Sequence, residues 1–219
     1  AQLAGAREVY LVAEPMAAAI GMGIPVEEPS GNMVIDIGGG TSEIAVIALY
    51  GIVCDTSVRI GGDEMDEAIV AYLKKNYNLL VGLSTAEQIK IQIGSAYPLA
   101  QELSMEVKGR DVAAGIPRTM RITSSEIREA LDECVSSIVQ AVKSALEQTP
   151  PELSADILDK GIVMTGGGAQ LRNLDERIRQ ETNLPVNVID NPLQCVCHGT
   201  AKIVENLDHY RKVLLNNSR

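Results

Sequence analysis

The six-residue motif Asp36-Ile37-Gly38-Gly39-Gly40-Thr41 has the residue types that bind a phosphate group. Consecutive glycines let the backbone approach a phosphate closely and point several N–H groups at it. Asp36 can hold Mg²⁺ through a water molecule, because Mg²⁺ prefers oxygen ligands and keeps several of its waters. The Thr41 hydroxyl can bond to the phosphate or to an attacking water. A plain hairpin turn would need fewer glycines, so the motif favours phosphate binding.

A second glycine turn, Thr165-Gly166-Gly167-Gly168-Ala169, follows another short apolar segment. If a helix follows directly, its N–H groups and the positive end of its dipole would face an anion or a nucleotide. Close packing of a helix on a strand would explain the same glycines, and the motif alone does not decide between the two. The presence of two such turns in one chain favours nucleotide binding as the explanation. Neither turn matches a Walker P-loop or a dinucleotide fingerprint.

Two further groups of residues have weaker signals. Glu14 precedes Pro15, which suits the first turn of a helix, and a carboxylate at this strand end could orient a water for phosphoryl transfer. An ordinary helix start explains the same residues. Glu87 and Lys90 lie three residues apart, which by itself indicates a surface ion pair of little energetic value.

Cysteine and histidine residues give no convincing metal motif. The segment Cys195-Val196-Cys197-His198 has a gap between its cysteines that is too short for a zinc knuckle, and no second ligand pair follows. We interpret these residues as part of a helix. The four cysteines are dispersed, which indicates reduced thiols in a cytoplasm rather than a disulfide framework.

The elements that would position these residues form an α/β pattern. Residues 32–47 predict a strand, the first glycine turn and a second strand, and a third β-rich segment starts at Gly51. Three short strands joined by tight turns indicate an antiparallel meander. Residues 62–77 predict a helix that has Met65, Ile69 and Leu73 on one face.

Two capping boxes predict further helix starts. Ser84-Thr85-Ala86-Glu87 would open a helix through about Ala96, and Thr123-Ser124-Ser125-Glu126 would open a long amphipathic helix that Pro150 ends. Strands are expected at Leu103–Val107 and Thr119–Ile122. The rest of the chain predicts a strand at 161–165, a helix at Leu171–Glu181, a strand at 185–189 and a last helix from about Leu193.

Composition excludes several function classes. The net charge of −10 disfavours binding to nucleic acid and to anionic lipid, since both depend on Lys and Arg. Phe and Trp are absent, so a base-stacking platform has little to be built from. No run of eighteen apolar residues predicts a transmembrane helix, and the N-terminal residues do not resemble a signal peptide. The start without Met indicates a partial gene or an engineered boundary.

The motifs occur in one order, EPMAAAIG, VIDIGGGTSEIAVI, VRIGGDEMDEAI, STAEQIKIQIGSAYP and GIVMTGGGAQLRNLDERI. That series resembles the MreB family of bacterial rod-shape proteins, within the superfamily of actin, sugar kinases and heat-shock chaperones. The resemblance runs from about Arg7 to the last helix. Seventy-kilodalton chaperones share two of the blocks, but they usually have Phe-Asp where this chain has Ser42-Glu43, and their insertion is larger.

The resemblance implies a role for each matching residue. Glu14 would position the attacking water, and Thr41 would assist catalysis. Asp36 would lie near Mg²⁺, and Gly38, Gly39 and Gly40 would form a phosphate loop. The helix with Glu87 and Lys90 would contact the ribose and adenine of ATP, while Gly166, Gly167 and Gly168 would form the adenosine turn. The implied fold is the α/β second lobe of an actin-like, ribonuclease H-like ATPase with an inserted small α+β subdomain.

The resemblance also implies boundaries and partners. The intact family protein would bind ATP, form filaments with itself and guide cell-wall synthesis at the inner face of the cell membrane, with a membrane adaptor and wall-synthesis proteins as partners. A first phosphate loop and a membrane-contacting part would precede this sequence, so ATP hydrolysis is expected of the intact protein rather than of this chain alone. The implied parts are first-lobe remnants at 1–30 and 193–219, a large second-lobe subdomain at 31–62 and 124–192, and a small outer subdomain at 63–123.

Two alternatives stay open. A chaperone-type ATPase fragment would share the phosphate turns, but it would require a peptide-binding domain in the parent gene. An interaction module without nucleotide binding would use the same fold as a filament or partner surface.

Overall fold

The computed structural model describes residues 1–215, so residues 216–219 of the predicted C-terminal segment lie outside the described part. Its centre is a five-stranded mixed sheet in the order β4-β3-β2-β8-β9. The predicted meander is confirmed, because β2 pairs antiparallel with β3 and β3 with β4. The other two pairings are parallel. The strands are β2 (Asn32–Ile37), β3 (Ser42–Ala48), β4 (Gly51–Val58), β8 (Ile162–Thr165) and β9 (Val186–Val188).

A long helix, α4 (Ser124–Gln148), packs on β3 and β4 and covers one face of this sheet. Its predicted capping box is confirmed, since Thr123 accepts a hydrogen bond from the Glu126 amide and Glu126 accepts one from the Thr123 amide. Apolar residues at helical spacing, among them Ile127, Leu131 and Ile138, are fully buried in the core. The helices α5 (Pro151–Lys160) and α6 (Leu174–Thr182) follow in the chain.

The other face of the sheet is covered by two helices that cross at glycines. These are α1 (Glu14–Met22) and α7 (Cys195–Glu205). A Cβ atom at Gly21 or Gly199 would overlap the backbone of the opposite helix, so both positions require glycine. The same unit includes a two-stranded antiparallel ribbon of β1 (Leu11–Val12) and β10 (Leu214–Leu215), and the short helix α8 (Leu207–Tyr210).

A separate small sheet lies between β4 and α4 in the chain. It is antiparallel, in the order β5-β6-β7, and two helices pack beside it. The predicted face of Met65, Ile69 and Leu73 is buried, as expected. The elements are α2 (Gly62–Tyr77), β5 (Leu79–Leu80), α3 (Leu83–Ile93), β6 (Ser104–Asp111) and β7 (Pro117–Thr123).

Several details of the sequence prediction are wrong, and no helix was predicted where α5 (Pro151–Lys160) lies. The helix α3 starts at Leu83 with Gly82 as its N-cap, so Ser84 lies inside the first turn and caps nothing. The helix α6 starts at Leu174 rather than Leu171, because Asn173 adopts a left-handed φ of 58° that interrupts a helix. The strands β6 and β7 extend into the predicted loop because their ladder continues to the pair Arg110 and Pro117.

The described helices have no stretch that combines the length and apolarity needed to cross a membrane.

Candidate functional site

A cleft of about 800 Å³ opens where β2 and β8 end, between the central sheet and the helices α2 and α3. The two strands are parallel neighbours with Asp36 paired to Thr165, so both glycine turns leave the sheet at the same edge. Gly40 and Thr41 lie farther along the first turn, are exposed, and do not line the cleft. The predicted residues that do line it are Glu14, Asp36, Gly38, Gly39, Glu87, Lys90, Gly166, Gly167 and Gly168.

The first glycine turn has no internal need for three glycines. Gly38, Gly39 and Gly40 all lack a left-handed φ, so the turn itself does not require them. A Cβ atom at these positions would meet nothing closer than 3.4 Å. Within residues 1–215, the N–H groups of Gly39 and Gly40 also have no acceptor. The turn therefore presents bare backbone donors at the mouth of the cleft.

The second turn is explained by packing. Gly166 has a φ of 83°, and a Cβ atom there would overlap the Asp36 carboxylate and the Ile37 carbonyl. A Cβ atom at Gly168 would overlap the Ile37 side chain. The expected helix does not follow directly, since a short 3-10 turn at Gly167–Gln170 comes first. The close-packing explanation therefore applies to Gly166 and Gly168, and the argument from a helix dipole does not hold here.

Asp36 is a buried carboxylate with an unsatisfied oxygen. It is 5% exposed, and its Oδ2 has no hydrogen-bond partner among the described residues. Glu43 is its direct cross-strand partner on β3, and Glu14 lies nearby. Burial, followed by the charges of Glu14 and Glu43, raises the pKa of Asp36 to about 6. A cation beside Oδ2 would satisfy this oxygen and relieve the repulsion, so the position fits Mg²⁺.

Lys90 does not form the ion pair that sequence spacing suggests. Its Nζ lies 2.9 Å from Oδ1 of Asp66 and donates a 2.7 Å hydrogen bond to the carbonyl of Gly62. Lys90 and Asp66 are 16% and 10% exposed, so the pair is mostly shielded from water. Glu87 remains exposed on the same helix and lines the cleft. The interpretation of Glu87 and Lys90 as a surface ion pair is therefore wrong.

Glu14 is the first residue of α1 and is held by the crossing of α1 with α7. It is exposed and lines both the main cleft and a smaller cavity of about 240 Å³. Glu43 and Asp55 also line the smaller cavity, and burial followed by the charges of Glu14 and Asp55 raises the pKa of Glu43. Glu14 therefore lies at the junction of the cleft and a smaller cavity that contains two further carboxylates.

Sequence reasoning missed three charged residues that line the cleft, Asp63, Asp66 and Arg172. The helix prediction placed Asp66 beside the apolar face of Met65 and Ile69, which was the available signal that it is buried. Nothing in the sequence connects Arg172 with α3, which it contacts from a distant part of the chain.

The CVCH segment lies in α7, as predicted, with Cys195 buried and Cys197 exposed. Across residues 1–215, no group of three His, Cys, Asp or Glu side chains converges to hold a metal ion. This does not conflict with the fit at Asp36, because Mg²⁺ commonly binds through one or two carboxylates together with substrate phosphates.

Comparison with known proteins gives close matches over nearly the whole chain. The chain is 57% identical over 208 residues to the cell shape-determining protein MreB of Escherichia coli K12, covering 95% of this chain and 60% of that protein. It is 48% identical over 212 residues to the cell shape-determining protein Mbl of Bacillus subtilis 168, covering 97% of this chain and 64% of that protein. The chain thus spans less than two thirds of the length of these curated relatives.

Solved structures confirm the predicted actin-like ATPase fold. The crystal structure of MreB5 of Spiroplasma citri bound to ADP superposes with a TM-score of 0.92 at 38% identity, covering 96% of this chain and 64% of that one. The AMPPNP-bound form of MreB5 gives 0.86 at 39% identity, with 91% and 60% covered. A MamK double helical filament shares the fold, with a TM-score of 0.73 at 22% identity and coverage of 88% and 58%.

The family model described as MreB/Mbl protein matches residues 1–212. With the sequence identities and the shared fold, this match shows that the chain belongs to the MreB/Mbl family.

Proposed function

We propose that the cleft is a nucleotide half-site that binds the phosphates of ATP on the first glycine turn. The glycine-rich backbone of this turn carries the proposal, because among the described residues the N–H groups of Gly39 and Gly40 have no acceptor. Neither turn conformation nor packing within residues 1–215 accounts for the three glycines, whereas a ligand that must approach the backbone closely would account for them. The MreB5 structures bound to ADP and AMPPNP support the choice of nucleotide.

We further propose that Asp36 is the protein's contact with Mg²⁺, directly or through water. The unsatisfied Oδ2 and the neighbouring charges of Glu14 and Glu43 support this role, since both favour a nearby cation. Bound Mg²⁺ would neutralise phosphate charge. The contribution of the chain is to hold the carboxylate in place, with its other oxygen packed over Gly166.

The remaining residues keep the roles that the family resemblance implies, and their place in the cleft lining supports those roles. Glu14 would orient a water at the cleft mouth. Lys90 and Glu87 would contact the ribose and the base, with Lys90 held in place by Asp66. The helper role of Thr41 has less support, because its exposed hydroxyl is outside the cleft lining. Its contribution would require the turn to close around a ligand.

At the level of the intact protein, we propose an ATP-binding cytoskeletal protein that polymerises and helps determine rod shape by guiding cell-wall synthesis. The names of the E. coli and B. subtilis relatives support the link with cell shape. In this proposal the protein works in the cytoplasm at the inner face of the membrane, with an adaptor and wall-synthesis proteins as partners. The subdomain boundaries at residues 30, 62, 123 and 192, which the family resemblance implies, remain part of the proposal.

Binding of a fluorescent ATP analogue to the Gly39→Val variant tests the nucleotide assignment. A Cβ atom at this position would lie at an ordinary contact distance of 3.6 Å from the Asp63 carboxylate, which predicts a normal fold, whereas the added side chain would keep a phosphate from the backbone. We expect binding to weaken by at least about tenfold, as the loss of one charge-assisted hydrogen bond allows. Gly51→Ala is the matched control, since its Cβ atom would lie at an ordinary 3.5 Å from a carbonyl outside the cleft. Equal affinity in all three proteins would overturn the assignment.

If the parent chain binds no nucleotide, the alternative function, an interaction module without nucleotide binding, would be favoured. In that case the chain would still associate with an intact MreB, while the glycine turn would have another use.

A further inference from the structure

Arg172 joins the two walls of the cleft. It lies four residues after Gly168, beyond the second glycine turn, yet its side chain reaches α3 of the small sheet unit. Its Nη1 donates hydrogen bonds of 2.7 Å to the Ile91 carbonyl and 3.5 Å to the Gly94 carbonyl. These are carbonyls at the C-terminal end of α3, where a cation also complements the helix dipole.

The backbone of Arg172 makes the same connection. Its carbonyl accepts a 2.8 Å hydrogen bond from the Ala96 amide, and the residue forms a parallel bridge with Ser95. Ser95 is fully buried, and its hydroxyl accepts a 2.9 Å hydrogen bond from Arg128 of α4. The segment after α3 is therefore held by two arginines, one of which lies in the cleft wall.

The position of Lys90 depends on this connection. Lys90 lies one residue before Ile91 on the same last turn of α3, and the Gly94 amide bonds to the Lys90 carbonyl at 2.9 Å. Holding the carbonyls of Ile91 and Gly94 therefore fixes the turn from which Lys90 reaches the cleft. Arg172 itself lines the cleft, so the residue that holds the end of α3 is also part of the cleft wall.

We infer that Arg172 is a positioning residue that fixes the last turn of α3, and with it Lys90, against the second glycine turn. This inference rests on the proposed nucleotide site. The last turn of α3 loosens when the guanidinium is removed, and nucleotide binding weakens because Lys90 is no longer held in place.

The test compares Arg172→Ala and Arg172→Lys with the parent in the full 219-residue chain. Hydrogen exchange of the Gly94 amide is measured without nucleotide, and the dissociation constant for Mg²⁺-ATP is measured by calorimetry. Arg172→Ala should exchange about tenfold faster at Gly94 and bind about tenfold more weakly. Arg172→Lys should recover part of both effects, since one cationic donor remains. Circular dichroism checks that each variant is folded.

Arg121→Ala is the matched control, because among residues 1–215 the Arg121 side chain bonds only to Ser104 on the small sheet and its removal should change neither measurement. Unchanged affinity in Arg172→Ala would overturn the inference while the nucleotide site stands. Weaker binding with unchanged Gly94 exchange would also overturn it, since Arg172 would then contact the nucleotide itself. A parent chain that binds no Mg²⁺-ATP would overturn the proposed function and this inference together.

Discussion

Lys90 Nζ lies 2.9 Å from Asp66 Oδ1, although 24 residues separate the two in sequence and they lie on different helices. The pair joins α3 to α2 across the base of the cleft. Burial raises the pKa of Asp66 although the hydrogen bond and charge of Lys90 lower it, so desolvation offsets much of the attraction. We therefore interpret the pair as a device that places Lys90 rather than as a major source of stability.

Asp66→Asn should change the free energy of unfolding at pH 7 by about 1 kcal/mol or less, because desolvation of the Asp66 carboxylate offsets its attraction to Lys90. The double variant Asp66→Leu with Lys90→Met should likewise stay close to the stability of the parent but bind nucleotide poorly. Urea unfolding and nucleotide titration of the same samples separate the two effects. Lys143→Ala is the control, since its pair with Glu181 is exposed and worth about 0.5 kcal/mol. A double variant with parental affinity would refute the placing role.

The pKa of Asp36 predicts a pH-dependent stability. The folded chain binds the proton more tightly than the unfolded chain, with a pKa of about 6 against an ordinary 3.8. Stability without Mg²⁺ should therefore fall as the pH rises from about 4 to about 6, and then level off. Asp36→Asn should remove this component, gaining up to about 3 kcal/mol at pH 7 and almost nothing near pH 4.

Chemical unfolding at several pH values, with and without Mg²⁺, measures this effect. Asp36→Asn should be more stable than the parent at pH 7 but should lose Mg²⁺-dependent nucleotide binding. An unchanged pH profile in the variant would show that Asp36 is not the titrating group.

The two glycine turns should respond differently to alanine. Gly168→Ala should destabilise the chain by about 2 kcal/mol, since its Cβ atom would overlap Ile37. Gly40→Ala has open space and a φ outside the left-handed region, so its free energy of unfolding should change by about 0.5 kcal/mol or less. Calorimetric melting of both variants provides the comparison, and equal destabilisation would contradict the packing analysis.

Glu14 should affect turnover rather than binding. In the full-length protein, Glu14→Ala should keep its affinity for ATP while phosphate release slows by at least about a hundredfold, as expected for the loss of a water-orienting carboxylate. Glu14→Gln is a useful second variant, because it removes the charge of the carboxylate but keeps the size of the side chain. A phosphate-release assay at saturating ATP makes the measurement, and equal turnover in variant and parent would exclude this role.

The fold was largely predictable because its local signals are strong. Short β-rich segments joined by tight turns identified the meander, and helical apolar spacing identified the buried face of α2. The capping box at Thr123 marked the start of α4. The predicted capping box at Ser84 does not form, because α3 begins at Leu83 with Gly82 as its N-cap and buries Ala86 and Ile89. Element boundaries of this kind depend on tertiary packing, which local sequence does not encode.

The site was predictable only where its residues are contiguous. The glycine turns and Asp36 lie in short motifs, and parallel pairing of β2 with β8 brings them to one edge. The contacts of Lys90 with Asp66 and of Arg172 with α3 join distant segments. Since several charged residues on each helix could serve as partners, these contacts required the three-dimensional arrangement.

Titration calorimetry of the 219-residue chain with Mg²⁺-ATP tests the central claim most directly. We predict saturable binding with one site per chain, lost in Asp36→Asn and weakened in Gly39→Val. The absence of measurable binding to the parent chain would contradict the claim that Asp36, the first glycine turn and Lys90 form a working nucleotide half-site.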